Sequence, residues 1–224
     1  MPAASQKTEL AHGYATSAAD IKIYRGGSNG TEYEGDAFIG EPANNVVVRL
    51  KIHANGVGIS AERPPADGKQ SREFLASTDN WFRPVNFATG PDGCLYVVAM
   101  YREIIEDETA IPNDILKHYD LCTGRDRGRI LRIVPDGFHA PAMPRLGGCT
   151  TQQLVAALDD PNAWNRETAQ RLLYQRQEGG AIAPLRDLVR SARTPQGKVP
   201  DGLEAGINYQ QMADLLRFLR DMKD

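Results

Sequence analysis

The sequence predicts a mainly β amino-terminal part followed by an α-helical carboxy-terminal part. Up to about residue 140, short apolar runs alternate with clusters of Gly, Asn, Asp and Pro. After Pro135 the composition changes, and apolar residues recur at helical spacing. Evenly spaced short strands with turn signals between them are typical of a sandwich, a barrel or a propeller. With 41% hydrophobic residues, the chain of 224 residues has enough apolar side chains for a buried core.

Seven runs in the amino-terminal part are predicted to be strands, since each is short, apolar and bounded by turn residues. They are Ile21–Arg25, Ala37–Gly40, Val46–Ile52, Gly56–Arg63, Val85–Ala88, Cys94–Met100 and Arg129–Val134. Together they predict one β-rich domain over residues 13–138.

The tight turn Pro91-Asp92-Gly93 is the most specific of the turn signals. Proline presets its own φ and glycine takes a positive φ, as such a turn requires. The apolar run Leu95-Tyr96-Val97-Val98 follows at once, as expected of a strand covered on both faces. A turn followed by such a strand recurs once per blade in propellers, and a plain hairpin in a sandwich is the alternative.

The segment from Tyr101 to Arg127 interrupts this rhythm. It is long, polar and charged, with a short helix predicted near Asn113–Tyr119. Loops of this length are usually functional or disordered.

Helical patterns begin after a Pro- and Gly-rich linker at residues 139–150. Residues 151–192 predict three helices of the helix–turn–helix kind found in HEAT repeats. The first is capped by Thr150 or Thr151 and ends at Asp160-Pro161. A second linker is predicted at residues 193–206, and a terminal helix at residues 207–224 carries an apolar stripe that indicates packing.

Charge and motifs exclude several classes of function. The formal net charge is −3 and no basic run is present, so neither nucleic acid nor a membrane surface is an expected partner. No run is long and apolar enough for a membrane span, and the first residues lack the apolar core of a signal peptide. The three cysteines have no C-x-x-C spacing, so no disulfide scaffold, zinc site or haem attachment is predicted, and no metal ligands are assigned.

Several long stretches resemble the bacterial sugar-dehydrogenase-like β-propeller proteins, some of which are membrane-bound. The similar stretches are GYATS at Gly13 to Ser17, YEGDAFIGEP at Tyr33 to Pro42, FLASTDNWFRPV at Phe74 to Val85, GPDGCLYVVAMYREIIEDE at Gly90 to Glu108, DRGRILRI at Asp126 to Ile133, and PNAWNRETAQRLL within Thr151 to Arg176. The resemblance covers roughly residues 13–192.

This resemblance implies a propeller followed by HEAT-like helices. For the full-length family it implies oxidation of sugars or alcohols, with pyrroloquinoline quinone and calcium as cofactors and a periplasmic or other extracytoplasmic location. The terminal helix is similar to the end of a c-type cytochrome domain, although the haem motif C-x-x-C-H is absent from the sequence. No cofactor is evident in this chain itself.

The number of strands predicts an incomplete ring. A blade takes about 40–50 residues and a closed propeller needs at least about four blades. The β part supplies about three blades at most. Open sheet edges invite association, so the missing blades or another protein chain are expected partners.

Polar residues at two strand ends form the candidate site. Asp79, Arg83 and Glu103 are the predicted catalytic residues: the carboxylates are candidate bases or calcium ligands, and the arginine is a candidate anion clamp. Trp81, Tyr101 and Arg102 are the predicted cofactor-binding residues, through stacking and ion pairing. The structural alternative is that these residues fix loops between blades and fill the core.

Two further features qualify this site. The proteins that the chain resembles usually have an aspartate at the position of Ala99. If that aspartate takes part in catalysis, we expect this chain to be impaired. The cluster Arg125-Asp126-Arg127-Gly128-Arg129 is predicted to close a loop through Arg–Asp pairs, with anion binding as its alternative.

Two functions follow as hypotheses. In the first, the chain is a fragment of a propeller-type dehydrogenase that oxidises sugars or alcohols with a quinone cofactor, and the fragment is inactive by itself. This assignment to the oxidoreductases rests on the resemblance only. The second is a non-catalytic binding or scaffold module built from propeller blades and HEAT-like helices.

Overall fold

A computed structural model describes residues 17–55, 58–64 and 73–191 of the chain. The chain divides into two compact units, unit 1 at Met1–Ala142 and unit 2 at Met143–Asp224. Antiparallel sheets form the described part of unit 1 and helices form that of unit 2, so the coarse fold prediction is confirmed. The predicted linker at 193–206 and the terminal helix at 207–224 lie outside the described residues.

Sheet 1 is a five-stranded antiparallel sheet. Its strands are β1 (Ile21–Ile23), β2 (Ala37–Glu41), β3 (Val46–Asn55), β4 (Gly58–Glu62) and β5 (Leu75–Ala76). The strand order is β1-β2-β3-β4, and the short β5 pairs with β3 at Val46 and Val47.

Sheet 2 has three antiparallel strands in the order β6-β7-β8. These are β6 (Pro84–Thr89), β7 (Leu95–Ala99) and β8 (Arg129–Ile133). The tight turn at Pro91-Asp92-Gly93 joins β6 to β7, and Gly93 takes the predicted positive φ of 78°. The long segment between β7 and β8 contains a 3₁₀ helix at Glu108–Ala110 and one short α-helix, α1 (Asn113–Leu116).

One face of each sheet contributes to a common hydrophobic core. In sheet 1 this inner face carries Phe38 and Val47, and in sheet 2 it carries Phe87 and Val97. Leu131 of β8 lies opposite Val97 in register and packs against the same core. The two-residue period of a strand therefore places alternate apolar residues between the sheets.

Buried polar contacts reinforce this core. The Tyr24 hydroxyl is fully buried, accepts a hydrogen bond from the Asn29 backbone N–H at 2.8 Å, and donates to the Gly93 carbonyl at 2.5 Å. The Asn29 side chain accepts a hydrogen bond from the Leu95 N–H and donates one to the Ile133 carbonyl. Burial raises the pKa of Tyr24 to about 12, which keeps the hydroxyl neutral.

The opposite faces, here called the outer faces, differ in character: that of sheet 1 is mainly apolar, whereas that of sheet 2 also carries Asn86, Tyr96 and Arg132. In sheet 1, Ile21 pairs in register with Ile39, which pairs with Val48. In sheet 2, Val98 of β7 pairs with Ile130 of β8. Ile21 is 59% exposed and Ile130 is 68% exposed, so large apolar side chains on both outer faces meet solvent.

The described part of unit 2, up to residue 191, contains three α-helices: α2 (Thr151–Ala156), α3 (Ala163–Arg176) and α4 (Ile182–Ser191). Thr150 caps α2 and forms a capping box with Gln153, as predicted for the start of this helix. A small core of Leu146, Leu154 and Ala169 holds the unit together. The described part of α4 contributes no fully buried residue.

Each of the seven predicted strands overlaps an observed strand, and β5 is not among the predicted ones. The first two residues of the predicted Gly56–Arg63 run lie outside the described residues. The described strands form two sheets that do not close into a ring, so the propeller of about three blades remains a prediction. Within the described ranges, no helix has the length and apolar character needed to cross a membrane.

Candidate functional site

The predicted residue Asp79 lies in a turn that leads into β6. One oxygen of its carboxylate accepts a hydrogen bond from the Trp81 backbone N–H at 3.0 Å, and the other accepts one from the Tyr101 hydroxyl at 2.8 Å. These two bonds, the backbone one first, lower the pKa of the Asp79 carboxyl. An exposed carboxylate held in its ionised form is a hydrogen-bond acceptor and a weak base.

Tyr101 is the centre of this cluster and follows β7. Its ring lies 5.7 Å from the Trp81 ring, and the Arg129 guanidinium stacks on it at 3.5 Å from the ring centroid. The hydrogen bond to Asp79 is the main cause that raises the pKa of the Tyr101 hydroxyl. The Tyr101 backbone has a φ of 54°, which is an unfavourable conformation for a bulky residue. Such strained backbone conformations are often found at functional sites.

Arg83 is occupied by backbone carbonyl groups. Its guanidinium donates to the carbonyl oxygens of Arg102 at 3.0 Å, Pro42 at 2.7 Å and Glu103 at 2.7 Å. Desolvation is the main cause that lowers the pKa of this guanidinium. Arg83 therefore connects the β2–β3 turn to the segment after β7, and this geometry gives it a positioning role.

The remaining two predicted residues lie side by side after Tyr101. Glu103 is exposed, and its backbone carbonyl accepts the hydrogen bond from Arg83. Arg102 is half-buried, and its Nη2 donates to the Leu121 carbonyl. Its Nε atom is buried and has no hydrogen-bond partner among the described residues. The structure thus groups Asp79, Trp81 and Tyr101, with Arg83 supporting the backbone beside them.

An open pocket of about 480 Å³ lies next to this cluster, where β7 ends and β8 begins. The residues that line it are Val85, Val98, Ala99, Met100, Arg102, Arg125, Gly128, Arg129 and Ile130. Three of them are arginines and none is acidic. The sequence singles out Arg102 as a ligand-binding residue but favours loop closure for Arg125 and Arg129.

The predicted Arg–Asp pairing in the 125–129 cluster is wrong for Arg125. Within the described residues, Arg125 forms no ion pair with Asp126, and its side chain lines the pocket instead. Tight turns set this geometry, since the Arg125 N–H donates to the Cys122 carbonyl and the Arg127 N–H to the Gly124 carbonyl. Gly124 lies against Trp81 and Tyr101, where a Cβ atom would be only 2.5 Å from the Tyr101 carbonyl oxygen.

The cofactors implied by the resemblance differ in how well they suit these residues. Ala99 is fully buried in the core and pairs with Arg129, so this position offers no oxygen ligand. Among the described residues, no three His, Cys, Asp or Glu side chains are grouped so that they could hold a metal ion, and we assign no calcium site there. Carboxylate groups, such as those of an anionic quinone, suit the charge of Arg102, Arg125 and Arg129.

Comparison with known proteins places the chain in a family whose function is unknown. The profile of the domain family of unknown function DUF7133 matches residues 2–137. This match covers more than half of the chain, which therefore belongs to that family. Neither the curated proteins nor the solved structures contain a significant match.

Proposed function

We propose that the two sheets of unit 1 are neighbouring blades of a β-propeller, and that the chain acts in that propeller as a non-catalytic binding module. The observation that carries the proposal is the apolar outer face of sheet 1, together with the exposed Ile130 on the outer face of sheet 2. In an isolated two-layer sandwich, outward side chains are mostly polar. In a propeller, every interior blade packs against a blade on each side, and both faces of its strands are apolar.

Strand β3 illustrates this argument. Val47 on its inner face is fully buried in the shared core, and the opposite face is also apolar, with Val48 buried and Val46 and Leu50 half-buried. The occupant that fits such a face is another β-sheet, because sheets pack face to face about 10 Å apart through interdigitated apolar side chains. We therefore assign the outer faces to propeller blades supplied by another chain, and a second copy of this chain can supply such a sheet.

The state of the candidate catalytic residues favours a binding role. Arg83 is engaged by three backbone carbonyl groups, and Asp79 is held as an ionised acceptor by two hydrogen bonds. Neither arrangement provides the base with a raised pKa that is well suited to proton abstraction near neutral pH.

Sedimentation velocity of the full chain over a range of concentrations tests this proposal. We expect concentration-dependent association through the outer faces. The double variant Ile21→Thr with Ile130→Thr should reduce association while the chain stays folded, because both side chains are exposed. The matched control Ile115→Thr changes an isoleucine of α1 that is 45% exposed, and association should persist. A wild-type chain that stays monomeric, or a control that dissociates as fully as the double variant, would contradict the proposal.

A second candidate is the dehydrogenase function of the proteins that the chain resembles. The unfavourable backbone of Tyr101, at the contact with Asp79 and Arg129, supports it because such strain is concentrated at active sites. Reduction of a redox dye with aldoses or alcohols, in the presence of pyrroloquinoline quinone and calcium, is the test. If the wild type turns over substrate and the Tyr101→Phe variant does not, the result would favour this candidate. Absence of turnover leaves the binding function.

A further inference from the structure

We propose that residues 207–224, which lie outside the described residues, form a helix that packs on the apolar stripe of α4 in unit 2. This inference goes beyond the proposed function, which concerns the sheets of unit 1. It rests on a helix face that the described residues leave partly uncovered, and on a matching apolar stripe in the sequence of residues 207–224.

The partly uncovered face belongs to α4. Its apolar residues Ile182, Leu185, Leu188 and Val189 recur at helical spacing and form one stripe along the helix. Leu185 and Leu188 are half-buried, whereas Ile182 is 47% exposed and Val189 is 43% exposed. Packing within the described part of unit 2 therefore covers only one side of this stripe.

The arrangement of the described helices indicates which kind of element fits the uncovered side. Helices α2 and α3 contact each other as a pair, and α4 contacts α2. No helix follows α4 among the described residues, so within them α4 has no partner that corresponds to α3. A second helix with an apolar face suits such a surface, because side-chain ridges of one helix pack into the grooves of another.

The sequence of residues 207–224 supplies a helix of this kind. Met212, Leu215, Leu216 and Leu219 follow the i, i+3, i+4, i+7 spacing of an amphipathic helix. A single helix of this length is only marginally stable in water, so its apolar face needs a packing partner. The resemblance assigns this segment to the end of a cytochrome domain, whereas the proposal assigns it to unit 2.

The connecting segment is long enough for the predicted helix to reach α4. The described part of α4 ends at Ser191, and the 15 residues from 192 to 206 follow it. An extended segment of that length spans about 50 Å, whereas the 10 residues of α4 extend over about 15 Å. Tethering gives an effective concentration on the order of 1 mM, which favours this segment over a second copy of the chain.

Thiol labelling of the full chain at position 189 tests the inference. Val189→Cys is prepared with Cys122→Ser, because Cys122 is exposed, and the modified residue is identified by mass spectrometry. The reference is Asp187→Cys in the same background, since the Asp187 side chain is 78% exposed and lies on the polar side of α4. We expect residue 189 to be labelled about tenfold or more slowly than residue 187, at a rate that does not depend on protein concentration.

A substitution in the terminal segment identifies the occupant. Leu215→Gln with Leu219→Gln should raise the labelling rate of residue 189 about tenfold or more, because glutamine keeps the helix propensity but removes the apolar face. The matched control is Arg217→Gln with Asp221→Gln, which changes the opposite face of the same predicted helix and keeps the net charge. This control should change the rate less than about twofold, as expected for exposed positions.

Three results would overturn the inference. The first is equal labelling of residues 187 and 189 in the chain with the native stripe, a comparison that does not depend on how the leucine variant folds. The second is an equal effect of the leucine variant and its control. The third is labelling of residue 189 that slows only as protein concentration rises, which would assign the face to a second copy. Sedimentation reports on the sheets of unit 1, so the two proposals can fail independently.

Discussion

The inner faces of the two sheets and their outer faces are similar in sequence but differ in how they are covered. Phe38 on the inner face of sheet 1 is 1% exposed, whereas Ile59 of β4 is 76% exposed. Both are large apolar residues on β-strands. Within the described residues the apolar core of the inner face is covered throughout, whereas the outer face of sheet 1 is covered at Ala37 and Val48 and exposed at Ile21 and Ile59. Apolar alternation therefore predicts which residues are suited to burial, and the described part of the fold buries only some of the outer ones.

The largest expected effect comes from opening the inner face. Phe38→Ala removes a ring that packs at 4.7 Å from the Phe74 ring and should lower the free energy of unfolding by about 3–5 kcal/mol. Ile59→Ala should change it by less than about 0.5 kcal/mol, because the side chain is already in water. Urea denaturation of both variants measures the contrast. Similar losses would remove the distinction between the faces.

A smaller effect is expected from the buried polar network of the same core. Tyr24→Phe leaves the Asn29 N–H and the Gly93 carbonyl without their partner and should cost about 1–3 kcal/mol. Tyr119→Phe, on a residue that is 45% exposed, is the control and should be nearly neutral. Thermal or urea unfolding reports both values. A neutral Tyr24→Phe would show that the network does not reinforce the contact between the sheets.

Next in size is an effect on the turn at Gly124, which packs against Trp81 and Tyr101. Gly124→Ala introduces a Cβ atom that would approach the Tyr101 carbonyl and the Trp81 ring, and the residue has a φ of 80°. The turn must move, and Arg125 moves with it. We expect the free energy of unfolding to fall by about 1 kcal/mol, because alanine is strained at a positive φ and its Cβ atom meets backbone. Gly147→Ala is the control, because its Cβ atom would meet open space, and urea denaturation measures both. Unchanged stability of Gly124→Ala would contradict the packing role of the turn.

The smallest effect concerns the exposed pair of Asp79 and Tyr101. Tyr101→Phe removes the weaker of the two hydrogen-bond contributions to the low carboxyl pKa, so the pKa of Asp79 should rise part of the way to its usual value. The lowered pKa stabilises the fold above the usual carboxyl pKa of about 4, and this stabilisation is lost as pH falls through the folded-state pKa. NMR titration of the carboxyl carbon measures the change. An unchanged pKa would show that the hydroxyl does not support the carboxylate.

Sequence patterns predict the strands well because each strand is a compact apolar run that ends at a turn. The two-residue strand β5 has no such signature, because Leu75 and Ala76 are too few to show a period. Asp79 and Tyr101 are expected near each other from sequence because both lie at strand ends. The place of Arg125 in the pocket lining is not predicted from sequence, since it depends on how the long segment before β8 packs on Trp81, which no local pattern encodes.

The central claim is that the outer faces are built to pack against another β-sheet, and thiol labelling at position 130 tests it most directly. The variant Ile130→Cys is prepared with Cys122→Ser, because Cys122 is exposed, and labelling of residue 130 is followed by mass spectrometry. We predict that labelling slows as protein concentration rises and the face becomes covered, while Tyr119→Cys in the same background labels at a constant rate. Labelling of residue 130 that stays fast and independent of concentration would contradict the claim.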